Sequence, residues 1–196
     1  MSPVKLLTLV VGGTTIQSKG SSDEFWTLLR SKVSRLSGME DNNKIKSNKA
    51  LLTKNRQSII AIASKELGVH EATGNNDGPR IEQYLRYTNL SKGYDWCASF
   101  VSWTYGQAGL LQPRNPWSPA LFPKVRQILK DLCQTADVFG IYGVNVKRIN
   151  HVGLIKKKSN DYLITIEGNS NNRVESRRRH LRTIYAIADW AGGNQK

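Results

Sequence analysis

Cysteine, acidic residues and long apolar runs are all scarce in this chain of 196 residues. Two cysteines, Cys97 and Cys133, cannot build the disulfide framework of a small secreted scaffold, and a chain of this length needs none. A Cys97–Cys133 bridge is not expected. No apolar run approaches the roughly 20 residues of a membrane span. The first residues, "MSPVKLLTLVVGGTT", hold an apolar stretch from Leu6 to Val11 broken by Thr8. That is short of a signal-peptide core, no A-x-A-like site follows, and the stretch reads as a strand. Ordinary secretory export is therefore not supported, and the export route stays open. Acidic residues number 15 against 29 Lys and Arg, a net charge of +14. A surface so charged attracts polyanions, whether nucleic acid, anionic lipid or anionic wall polymer, without choosing among them.

Apolar residues make up 39% of the chain and include five tryptophans, which is a globular composition. No internal repeat is present. Residues 3–11 read as a strand and "SSDEFWTLLRSKVSRL" as a short amphipathic helix capped by Ser21 or Ser22. Residues 37–56 are polar, rich in Asn and Lys, and lack sustained periodicity, as a linker would. The expected division is an N-terminal strand–helix arm and linker over 1–50, of open role, and a compact domain over 51–196. In that domain "RQSIIAIASKELG", "PRIEQYLRYTN", residues 95–108 and residues 118–129 read as helices. Beyond residue 134, "DVFGIYGVNV", "HVGLIKK", "DYLITIEG" and "TIYAIADW" read as strands. Helices followed by strands define an α+β class, with N-terminal helices packed on an antiparallel sheet of four to six strands.

One helix carries the chemistry. With Asp95 as N-cap, the Cys97 of "YDWCASFVSW" falls in the first turn, at the positive end of the helix dipole, which favours thiolate. Cysteine is also among the most buried residue types, so this position alone leaves packing open. A thiolate nucleophile shares its proton with an imidazole, and the chain has three. His70 lies in a Gly/Asn-rich loop and His180 follows three arginines. His151 opens the strand "HVGLI", and "LITIEGN" follows after "SND". If Ser159, Asn160 and Asp161 form the loop, Gly153 faces Glu167 and His151 faces Asn169. Residues 151, 167 and 169 then share a face, whereas a two-residue loop would separate them.

"WCASFVSW", "HVGLI" and "IEGN", in this order and spacing, resemble the CHAP-type cysteine peptidases and amidases of bacterial and phage cell-wall hydrolases. The resemblance covers roughly residues 56–190 and implies a papain-like fold and cleavage of amide bonds in peptidoglycan. It implies Cys97 as nucleophile, His151 as base, Glu167 as the carboxylate orienting the imidazole, and Asn169 as an auxiliary polar contact. The related NlpC/P60-type enzymes usually have a second histidine at the third position, where this chain has Glu167. Members of the family also usually have a Pro-Gly-Asp turn before the histidine strand. This sequence reads "LCQTADVFGIYGV" there, which leaves the register of residues 133–148 open.

Tyr94 is the candidate second oxyanion donor beside the Cys97 N–H, and Asn75, Asn76 and Trp96 are candidate substrate contacts. Trp96 and Trp103 also fit a core role. Arg173, Arg177 and Arg179 fall on one strand face that reads as a solvated edge. No metal and no cofactor is expected. Peptidoglycan is the expected partner, with anionic wall polymers as an addition, the cell wall as the place of action and a monomer as the state. A basic nucleic-acid-binding module has only the net charge in its favour, because the aromatics lie inside apolar segments. An acyl transferase using the same triad stays open.

Overall fold

The computed structural model describes residues 7–11, 14–18 and 22–192. The chain divides into two compact units, Met1–Ala50 and Leu51–Lys196. In the first, strand β1 (Leu7–Val11) pairs antiparallel with β2 (Thr14–Ser18), Val11 facing Thr14. The expected strand is present from Leu7, while its residues 3–6 and the capping candidate Ser21 lie outside the described residues. Helix α1 runs from Ser22 to Lys65, so residues 37–56 are helical rather than a linker. The reason is physical: residues 41–50 are exposed all round, and a helix with no buried face has no apolar stripe for the sequence to display. No proline interrupts residues 22–65, and its Lys, Leu and Glu residues are good helix formers. No helix among the described residues is long and apolar enough to cross a membrane.

The second unit is an α+β fold. It takes residues 51–65 of α1, then α2 (Pro79–Tyr87), α3 (Cys97–Gln107) and a six-stranded antiparallel sheet. The strands are β3 (Gln127–Ile128), β4 (Val138–Gly143), β5 (Arg148–Ser159), β6 (Tyr162–Ser170), β7 (Arg173–His180) and β8 (Ala186–Ala188), in spatial order β3-β8-β4-β5-β6-β7. Residues 118–129, expected as one helix, form two 3-10 turns and the short β3. Pro119 and Pro123 account for this, since a proline inside an α-helix removes a backbone donor and clashes with the preceding turn.

The central helix is α3, buried from Cys97 to Tyr105 and therefore apolar or small on every side. Its Phe100 lies against Gly168 of β6, where a Cβ would stand 2.6 Å from the phenylalanine Cβ. Tyr84 of α2 packs on Trp96, Phe100 and Trp103 with ring centroids 5.0–5.6 Å apart. Arg56 ties α1 to the sheet through Asp137 at 2.6 Å and Asp189 at 2.8 Å.

The register before the histidine strand is now defined: Val138 faces Leu154 and Ile141 faces His151. In place of a Pro-Gly-Asp turn the chain has Thr135-Ala136-Asp137. Ala136 takes a left-handed φ of 71°, and the Asp137 carboxylate accepts from the Gln134 N–H at 2.7 Å. An acidic side chain thus closes the turn that a glycine would adopt without strain.

Candidate active site

Helix α3 begins at Cys97 itself, with Trp96 as its N-cap and no side-chain cap. This corrects the expected capping by Asp95, whose carboxylate instead accepts from Asn169 Nδ2 at 3.3 Å. Cys97 is thereby the first helical residue, and its N–H has no acceptor within the helix. Trp96 holds this start in place. Its indole is fully buried and donates to Glu71 Oε1 at 2.8 Å, so Trp96 is a core residue and not the substrate contact expected. Glu71 also accepts from the Asn76 N–H at 2.9 Å, which pins the loop of residues 71–78 to the same point.

His151 and Glu167 meet by a route that the simple hairpin count did not contain. Ser159 pairs with Tyr162, so the turn has two residues, Asn160 and Asp161, rather than three. A bulge between Ile155 and Lys157 then shifts the register by one, and Leu154 faces Ile166. The extra residue restores the parity that the short turn would have lost. As a result His151 Nε2–H donates to Glu167 Oε2 at 2.7 Å. The other ring nitrogen is left for Cys97, with which the imidazole interacts electrostatically, while the thiol donates to the Asn150 carbonyl at 4.0 Å.

Glu167 is fully buried, and its two oxygens also accept from Arg179 Nε at 2.9 Å, Arg179 Nη2 at 2.6 Å and Thr165 Oγ1 at 2.5 Å. Burial pushes its carboxyl pKa up, but the hydrogen bonds from Arg179 and His151 outweigh that and hold it at about 2. Burial likewise lowers the His151 pKa, while bonding to Cys97 and Glu167 raises it to about 9. Burial raises the Cys97 pKa, and His151, Ser118 and the Val152 N–H together bring it below the ordinary thiol value. Geometry and charge thus favour a thiolate–imidazolium pair backed by a carboxylate that is ionised at neutral pH. Ser118 Oγ lies 3.5 Å from the Cys97 sulfur.

A cleft of about 260 Å³ opens over Cys97, lined by Tyr94, Asp95, Trp117, Ser118, Arg148 and Asn150 among others. Tyr94 is 55% exposed at its wall. Asn169 sits at φ 56° in an irregular stretch of β6 after Glu167, and its amide donates to Asn76 and Asp95. It therefore ties the 71–78 loop to the residues before α3, where strict alternation had set it opposite His151. Asn75 is exposed and donates to Thr73 at 2.9 Å. Both cysteines are free. Among the described residues, no group of three or more His, Cys, Asp or Glu side chains is arranged to hold a metal ion.

Sequence reasoning missed Arg179, Ser118, Arg148 and Asn150. The alternation of Arg173, Arg177 and Arg179 was legible, and β7 is an edge strand. Hidden was that Leu163 pairs with Arg179 and Thr165 with Arg177, on the side of β6 that carries Glu167. No sequence signal marks Ser118. No protein-family model matches this chain, and no curated protein matches it.

Proposed function

We propose that residues 51–196 form a peptidoglycan hydrolase of papain-like design. It would cleave an amide bond of the wall, either as an N-acetylmuramoyl-L-alanine amidase or as a stem or cross-bridge endopeptidase. The observation that supports this most is the bonded series from Arg179 through Glu167 to His151, whose imidazole acts on Cys97 at the start of a buried helix and lowers its pKa. A nucleophile, a base and an oriented third group are the parts that covalent amide hydrolysis requires.

In the proposed reaction the Cys97 thiolate attacks the carbonyl carbon and a C–S bond forms. The oxyanion is held by the Cys97 N–H, with Tyr94 as the second donor. The His151 imidazolium gives its proton to the leaving nitrogen as the C–N bond breaks, leaving a thioester. Neutral His151 then takes a proton from water, whose oxygen displaces Cys97 and releases the acid. Glu167 keeps the imidazole in one tautomer and stabilises its charged form throughout.

The test is digestion of purified peptidoglycan with mass spectrometry of the fragments, for the wild type, Cys97→Ala and His151→Ala. New amine ends from the wild type alone support the reading. Folded wild-type protein that releases none from any wall chemotype sinks it. Fragments capped by an acceptor amine would mark acyl transfer instead.

A further inference from the structure

Strand β5 delivers more than the histidine. Arg148 and Asn150, two residues apart on that strand, both line the cleft over Cys97, while Ile149 between them is buried. Among the described residues no carboxylate pairs with Arg148, whose Nη1 reaches only the Ile149 carbonyl, at 3.3 Å. The one acidic residue in the cleft lining among the described residues, Asp95, accepts from Asn169. Two exposed aromatic side chains, Tyr94 and Trp117, stand in the same lining. A guanidinium on a strand, open to a cleft and without an internal acid, has the donor fork that matches a carboxylate.

We infer that the cleft recognises a carboxylate on the substrate segment beside the scissile amide, and that Arg148 binds it. The position of the amide rests on the hydrolase reading above, whereas the anion site does not. Arg148 supplies the charge and the paired donors, and the aromatic walls take the flanking apolar surface.

Alkylation of Cys97 tests the site without any substrate. Iodoacetate and iodoacetamide both lose iodide to the thiolate as the S–C bond forms, and they differ in carrying a carboxylate or an amide. Cys133→Ala protein serves as the background, and the readout is the ratio of the two rates. Arg148→Gln is expected to lower the iodoacetate preference about fivefold through loss of one nearby charge, and Arg148→Lys to keep most of it. Lys156→Gln, eight residues along the strand and about 25 Å away, should leave the ratio unchanged, because salt screens charges at that range. An equal ratio in Arg148→Gln and the parent overturns the site.

A second arm compares peptide amides that are identical but for a carboxylate or carboxamide one residue from the cleaved bond. The carboxylate form should have a KM about tenfold lower, a preference lost in Arg148→Gln with little change in kcat. Equal KM values overturn the inference. Absence of cleavage in both peptides with the alkylation preference intact would sink the hydrolase reading and leave the anion site standing.

Discussion

Cys97 and Cys133 are both buried and both free, yet the fold prepares them for opposite fates. Cys133 packs in a small apolar cluster with Phe139, Ile155, Leu163, Ile184 and Ile187. Burial there pushes its thiol pKa up, and nearby Lys158 offsets that only in part. Cys97 is no less buried, but an imidazole, a hydroxyl and a backbone N–H converge on its sulfur and bring its pKa down. Burial therefore does not decide whether a cysteine is inert. The polar groups that the fold brings to the sulfur decide it, and for Cys97 these come from β5 and the 3-10 turn at Ser118–Leu121.

The largest effect that would break this comparison is on hydrolysis. Cys97→Ala is expected to lower kcat by roughly a millionfold and His151→Ala nearly as much, since members of a triad act as one unit. Cys133→Ala should retain wild-type kcat in the same peptidoglycan assay. Comparable losses from the two cysteine substitutions would erase the distinction.

Next comes the clamp on Glu167. Arg179→Met removes two charge-assisted hydrogen bonds from a buried carboxylate, so the Glu167 pKa rises and the carboxylate that orients the imidazole is no longer held in place. Rate should fall about tenfold or more as the imidazole loses its fixed orientation, with the alkaline limb of the pH profile moving to higher pH because a cation near the imidazolium is gone, while Arg179→Lys restores part of both. A rate loss with an unmoved profile would make Arg179 a purely structural residue.

The pH dependence itself follows from the shifts. With His151 raised to about 9, the active ion pair persists to that pH, and activity should fall with an alkaline midpoint there. For stability, the raised His151 contributes fully below its ordinary value of 6.5 and loses that contribution as pH rises through about 9. The lowered Glu167 contributes fully above its ordinary value of 4.5 and loses that contribution as pH falls towards about 2. Thermal unfolding of wild type and His151→Ala across this range checks the sign: the difference should shrink towards alkaline pH.

The smallest effect lies beside Cys133. Ala136→Gly relieves a left-handed alanine at φ 71° and should raise stability by about 0.5–1 kcal/mol in urea unfolding, leaving catalysis unchanged.

The sequence displayed those parts of the fold whose burial is periodic. Strands β4, β5, β6 and β8 and the face of α2 were readable from their apolar residues, whereas β7 has one apolar residue, Val174. Helix α1 was not, because residues 41–50 bury nothing. At the site, Cys97, His151 and Glu167 could be grouped from their order and from hairpin parity. The parity was right although the turn is one residue shorter than assumed, because the bulge at Ile155/Lys157 compensates. Local irregularities of this kind leave no pattern in the sequence, and the same limit applies to Asn169, which the break in pairing after Glu167 turns towards Asn76 and Asp95. Arg179 was hidden for another reason: alternation says which residues share a face but not which face is buried.

The most direct test of the central claim is the rate of iodoacetamide labelling at each cysteine against pH, read by peptide mass spectrometry on the folded protein. The account predicts that Cys97 labels first and stays reactive well below the ordinary thiol pKa of about 8.5, and that His151→Ala moves its profile up towards that value. Cys97 labelling no faster than Cys133, or titrating at the ordinary value in the wild type, would contradict it.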